Sequence, residues 1–213
     1  MIKKTPMINH EGSVEKASED NKQQPIKHIA IFASGAGSNA QKIIEHFENS
    51  TLAKIELIVC NKPGAGVIEI AGSKSIPVLL IEKKMFADSG YLEELKRYHI
   101  DFIILAGFLW KIPSVLIDAY PWKIINIHPA LLPAYGGKGM FGNAVHAAVL
   151  MAKEKQSGIT IHYVDDKYDH GKIIFQKACP VTEDETVESL AQKVHELEHN
   201  YYPKQIEKLL YKI

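Results

Sequence analysis

Cysteine is almost missing from this chain: Cys60 and Cys179 are the only two among 213 residues. Two thiols make no disulfide framework, and neither stands in a CxxC pair. They read as a buried, reduced pair. An excess of either charge is missing too, with 25 Lys plus Arg against 25 Asp plus Glu. That balance argues against a chain built to coat nucleic acid or an anionic membrane. No apolar run approaches the ~20 residues needed to cross a bilayer. No long apolar segment follows the N-terminal lysines, as a secretory signal would require. The expectation is a cytoplasmic protein with neither membrane nor nucleic acid as partner. The length suits one domain with a substantial core, or at most two small ones.

What is present begins with a polar stretch, 1–26, that lacks sustained periodicity and reads as a disordered tail. The folded part, 27–213, is expected to be a single domain. From Lys27 onward, apolar runs alternate with helical patterns. "KHIAIFAS", "AKIELIVC", "IPVLLI", "DFIILAG" and "KIINIH" read as strands. Between them lie helical patterns at "NAQKIIEHFEN", "GAGVIEIAGSK", "GYLEELKRYH" and "PSVLIDAY", the last opening on Pro113. Largely apolar strands alternating with helices predict an α/β fold, a mostly parallel twisted sheet with helices on both faces and a Rossmann-like N-terminal half. Ligands then bind at the carboxyl ends of the strands. Further on, "GNAVHAAVLMAKE" reads as a helix, and "SGITIHYVDD" and "GKIIFQKACPV" as a strand pair joined around Lys167–His170. A long terminal helix starts near Thr186, with an interruption expected at Pro203.

Three segments carry candidate chemistry. Ser34-Gly35-Ala36-Gly37-Ser38-Asn39 joins the first strand to the first helix. Glycines permit a tight turn, and free N–H groups at a helix start favour an anion such as phosphate. The match to GxGxxG is partial, so a plain turn stands as the alternative. Asn126-Ile127-His128-Pro129 ends the fifth strand, where positions two apart face the same side. Asn126 can donate to a carbonyl oxygen that gains charge, and His128 can move a proton; the other reading is a pair closing a loop. Asp165-Asp166-Lys167-Tyr168-Asp169-His170-Gly171 reads as a solvated turn, a metal loop or an acid/base element. It lacks the EF-hand spacing, and His162, Asp166 and His170 lack a zinc spacing. His28, His46 and His99 read as surface or boundary residues, and His146 as a helix residue lining a pocket. His195-Glu196-Leu197-Glu198-His199 matches HExxH in residue type, but no third ligand is evident.

The segments "ASGAGSN", "LAGFLWKIP", "IINIHPALLPAYGGKG" and "SGITIHYVDDKYDHGKII" together resemble the phosphoribosylglycinamide formyltransferases of purine synthesis, from about Lys27 to Pro203. The resemblance implies the formyltransferase fold. It also implies transfer of a formyl group from the co-substrate 10-formyltetrahydrofolate to the amine of 5′-phosphoribosylglycinamide, without a metal, by a monomer or homodimer. It assigns catalysis to Asn126, His128 and Asp169, with protonated His128 donating to the oxyanion and Asp169 raising its pKa. It assigns the substrate phosphate to Gly37, Ser38 and Asn39, and the amine side to Glu198. Folate is assigned to Leu109, Trp110, Lys111, Ile112, Asn126, Val164, Asp165, Asp166 and Asp169. Many relatives carry Arg where Trp110 stands, and another Arg shortly before the position of Tyr91, where this chain has Asp88-Ser89-Gly90. "YGGKGMFG" replaces a more usual stretch. A formyltetrahydrofolate hydrolase would share the same three catalytic residues but usually carries an N-terminal regulatory domain. Methionyl-tRNA formyltransferases add a C-terminal tRNA-binding domain. A non-catalytic folate or nucleotide binder is the alternative from a different class.

Overall fold

The computed structural model describes residues 25–87 and 90–212. Most of the expected tail, residues 1–24, lies outside them, as do Asp88 and Ser89. Five strands alternate with helices in the first half. They are β1 (Lys27–Ala33), β2 (Ala53–Cys60), β3 (Val78–Leu80), β4 (Phe102–Leu105) and β5 (Ile124–His128). The intervening helices are α1 (Ser38–Phe47), α2 (Gly66–Ser73), α3 (Lys83–Ala87), α4 (Gly90–Arg97) and α5 (Ser114–Ala119). Then follow α6 (Asn143–Met151), β6 (Gln156–Tyr163), β7 (Ile173–Pro180) and α7 (Val187–Leu210). The strands form one sheet ordered β3-β2-β1-β4-β5-β6-β7. β1 to β5 pair in parallel, while β6 and β7 add on antiparallel.

The parallel part has the doubly wound order 3-2-1-4-5. Both of its faces are covered, and β1 shows how. Ile29, Ile31 and Ala33 point into a core shared with Ile43, Phe47, Val67 and Leu190. Ala30 and Phe32 point the other way, towards Phe86, Tyr91, Leu95 and Leu116. Period-two alternation between two apolar layers is why the strand reads as a continuous hydrophobic run.

Three local features differ from the sequence-based expectation. α7 runs unbroken through Pro203. Proline removes one helical hydrogen bond and crowds the carbonyl four residues before it. Here Pro203 is buried beside Tyr202, Ile206 and Leu210, and the Tyr202 hydroxyl donates to the Leu105 carbonyl at 3.0 Å. Packing on both sides of the proline holds the helix together. The short α3 was not foreseen. Cys60 is buried, but Cys179 on the outer strand β7 is only half-buried, so the thiols are not both core residues. The helix start expected near Thr186 is a capping box: Thr186 Oγ1 accepts from the Ser189 N–H while Ser189 Oγ accepts from the Thr186 N–H. Among the described residues no helix is long and apolar enough to cross a membrane.

Candidate active site

β1 and β4 are neighbours whose following connections lead to opposite sides of the sheet. A crevice therefore opens beyond their carboxyl ends. Into it project the loop after β1 (Ser34–Asn39), the loop after β4 (Ala106–Leu109), and the end of β5. The two loops are tied together, since the Leu109 N–H donates to Ser34 Oγ at 3.0 Å and the Ser34 N–H to the Gly107 carbonyl at 3.1 Å. The far wall comes from Gly137–Gly142, His146, Tyr168, Asp169, His195 and Glu198. The cavity volume is about 690 Å³.

Asn126, His128 and Asp169 meet on the floor of this cavity. His128 Nδ1 lies 3.5 Å from Asp169 Oδ2, and both side chains are shielded from solvent. His128 Nε2 lies 2.8 Å from the Tyr135 carbonyl oxygen, which can only accept, so Nε2 carries hydrogen. In the neutral ring Nδ1 is then the free base, and it faces the carboxylate. Burial pushes the His128 pKa below its ordinary value, and the Asp169 charge and the Tyr135 carbonyl only partly restore it. The upward pull of Asp169 on this pKa is as expected, and burial outweighs it. The resting ring is neutral, and Asp169 favours the cation formed when Nδ1 takes up a proton. Burial also pushes the Asp169 carboxyl up. The neighbouring His162 and His128 rings and the Gly137 N–H, which donates to Oδ2 at 2.9 Å, outweigh it and hold the pKa below the usual value. Asp169 has φ 53°, a left-handed conformation that Asp tolerates better than most side chains.

His162, on β6, was not singled out from the sequence as a site residue. It pairs across the sheet with Asn126. Its Nδ1 lies 2.8 Å from the Tyr163 carbonyl, so that nitrogen is the donor and Nε2 the acceptor. Asn126 Nδ2 donates to that Nε2 at 3.2 Å, which fixes which way the amide points. The second amide hydrogen meets only Asp169 Oδ1 at 3.5 Å, long for a hydrogen bond, and so is left available to an incoming oxygen. The sequence signal was a lone histidine in the apolar run "GITIHYV"; only the register of β5 on β6 shows what it faces.

Gly37 precedes α1 with φ 83°, and an added Cβ would lie 2.8 Å from Val67 on α2. The glycine is thus needed for packing as well as for the turn. The start of α1 has no side-chain cap, and Gly37, Ser38 and Asn39 there line the cavity. Asn39 Nδ2 donates to Glu198 Oε2 at 2.8 Å, joining this loop to α7 across the cavity. Burial raises the Glu198 pKa against the opposing effects of that hydrogen bond and of His195.

Of the residues assigned to folate, Leu109, Asn126 and Asp169 line the cavity. Trp110 packs in an aromatic group with Phe86 and Phe108, Ile112 is buried in the core, and Lys111 is exposed. Val164 packs against that same core. Asp165 is used within its own loop, accepting from the Lys167 N–H at 2.9 Å and pairing with His170 at 2.8 Å. Asp166 is exposed. Among the described residues no three His, Cys, Asp or Glu side chains are grouped to hold a metal ion. In the HExxH-like stretch, the His195 and His199 rings lie 5.8 Å apart.

A doubly wound sheet with an Asn–His–Asp group at its carboxyl edge is the arrangement of a group-transfer enzyme, and the chain belongs to the formyl transferase family, whose pattern matches residues 27–206. Within that family the chain is 42% identical to the phosphoribosylglycinamide formyltransferase of Bacillus subtilis, covering 87% of this chain and 95% of that one. It is 43% identical to the chloroplastic phosphoribosylglycinamide formyltransferase of Arabidopsis thaliana, covering 83% of this chain but 63% of that longer protein. The solved phosphoribosylglycinamide formyltransferase of Bacillus halodurans superposes with a TM-score of 0.79 at 37% identity, covering 86% of this chain and 95% of that one. The resemblance read from the sequence is thereby borne out, and so is the α/β formyltransferase fold.

Proposed function

We infer that this protein transfers the formyl group of 10-formyltetrahydrofolate to the amine of 5′-phosphoribosylglycinamide, a step of purine synthesis. The single observation that carries the chemistry is the approach of His128 Nδ1 to Asp169 at 3.5 Å beside the oriented amide of Asn126. The relatives' names favour the transferase over the hydrolase and over a non-catalytic binder.

The amine attacks the formyl carbon, and a carbon–nitrogen bond forms as the carbonyl oxygen gains negative charge. The free hydrogen of Asn126 Nδ2 donates to that oxygen; removing such a donor typically costs roughly 10²–10³-fold in rate. His128 Nδ1 takes the proton of the attacking amine, and Asp169 stabilises the resulting imidazolium. The proton then passes to the folate nitrogen as its bond to the formyl carbon breaks. Atoms and charge balance with no covalent enzyme intermediate. The phosphate rests on the first-turn amides of α1 at Gly37, Ser38 and Asn39, and Glu198 holds the amine substrate from the opposite wall. Folate enters past Leu109, with its outer part running towards Trp110, Lys111 and the 164–166 loop. Relatives' arginines have no counterpart there, since the chain's one arginine, Arg97, is exposed on α4. On its two unpaired cysteines we place the protein in a reducing compartment, the cytoplasm.

The test is folate deformylation followed by absorbance, with and without the phosphorylated amine. Deformylation that requires the amine supports the transferase. Equal rates without it indicate the hydrolase, and binding of the folate without turnover indicates a binder.

A further inference from the structure

His146 has no part in the chemistry above, yet it stands in the wall of the same cavity. It lies on α6, a helix that packs against α7, among the buried residues Val145 and Val149, and is 2% exposed. Its Nδ1 is buried with no hydrogen-bond partner. Leaving a buried polar nitrogen unpaired costs about 1–3 kcal/mol. Native proteins rarely keep such a group, and where they do it points to a role. The ring shares the cavity wall with His195 and Glu198 of α7. Glu198 is in turn bonded to Asn39 of the loop after β1. This seam is the amine-substrate end of the cavity, away from Trp110, Lys111 and the 164–166 loop.

We propose that His146 is a binding residue for the phosphorylated amine, hydrogen-bonding a ribose hydroxyl of that substrate. The proposal rests on the function inferred above. The choice of group follows from the charge of the ring. Burial, and the nearby His195 and His128, all push the His146 pKa down, so the ring is neutral near neutral pH. A neutral imidazole offers one donor and one acceptor, which matches a hydroxyl; the phosphate already has its place on the first-turn amides of α1.

The experiment compares wild type with His146→Leu and His146→Gln by thermal denaturation and by KM for each substrate. His146→Leu removes the unpaired nitrogen and keeps a good helix former. It is expected to melt about 2–4 °C higher, while KM for 5′-phosphoribosylglycinamide rises about tenfold. KM for formyl-folate and kcat should stay within about threefold. His146→Gln keeps a polar amide of similar reach and should recover most of the lost affinity. An amine analogue without ribose hydroxyls should bind wild type and His146→Leu equally. Unchanged KM for the amine in His146→Leu, or a rise in the folate KM instead, overturns the proposal. If His146→Leu fails to fold, His146→Ala decides in its place: a wild-type KM for the amine with a lower melting point marks His146 as merely structural, and a raised amine KM with an unchanged folate KM supports the proposal. Wild-type protein that binds no phosphorylated amine would instead sink the inferred function, an outcome separable from equal behaviour of variant and wild type.

Discussion

Asp169→Asn is the most informative single change. The substitution keeps the shape of the side chain and an acceptor for the Gly137 N–H, but it removes the charge that faces His128 Nδ1 at 3.5 Å. Two unit charges at that distance attract by about 5 kcal/mol at an effective dielectric of roughly 20. Both side chains are nearly enclosed, so solvent screens little of this. If the proton is roughly half transferred in the transition state, about half of that stabilisation is lost, which corresponds to about a 10²-fold drop in kcat. A second signature accompanies the first. Asp169 raises the His128 pKa against burial, so without it the pKa falls further. Because the neutral ring is the base, the acid limb of the rate profile moves to lower pH in the variant. Stability changes in a defined window. The folded-state pKa of Asp169 lies below the ordinary 3.8, so its carboxylate stabilises the fold above that value and ceases to as pH falls through the lower one. The variant's melting deficit is therefore largest near neutrality and closes in acid. Steady-state rates from pH 5 to 9, with melting curves across the acid range, supply the readings. Near-normal kcat, or a lost rate with an unmoved acid limb, would refute the reasoning.

Three further changes are expected to behave as follows. His162→Leu removes the acceptor that holds the Asn126 amide, so kcat should fall about tenfold with both KM values near normal; an unchanged kcat in steady-state assays contradicts this. Glu198→Gln removes a buried carboxyl whose pKa is raised above 4.5, so its charged form costs stability at higher pH. Its melting temperature should exceed wild type at pH 8 and match it at pH 4, and a constant gap in calorimetry would show that the raised pKa is wrong. Gly171→Ala would place a Cβ 1.9 Å from the Tyr163 carbonyl oxygen, a backbone clash at the end of the β6–β7 pair. It should cost about 3 kcal/mol or more and lower the melting point by several degrees; a melting point within about a degree of wild type removes the clash argument.

The parallel strands were legible because each is an apolar run buried on two faces, and β2 was read to its last residue. The order of the antiparallel pair followed from the short loop at Lys167–His170. Pro203 misled because a local rule was overridden by tertiary packing around Tyr202 and Ile206. α3 was missed because five residues leave no periodicity to read. In the site, spacing alone could bring Asn126 and His128 together, two apart on one strand. It could not bring Asp169 to them, because that depends on how β6 registers on β5; the family resemblance supplied it. The same register placed His162 opposite Asn126 without any local signal of its role. The folate assignments were carried over by resemblance, and side-chain packing sends Trp110, Ile112 and Val164 into the core layer instead of the cavity wall.

The most direct measurement follows the fate of the transferred atom. Wild-type protein is mixed with 10-formyltetrahydrofolate carrying an isotopic label on its formyl carbon, together with 5′-phosphoribosylglycinamide, and the products are resolved by mass. The label is expected in the new amide of the ribonucleotide, one label for each folate deformylated. Label released as free formate, with the ribonucleotide unchanged, would contradict it.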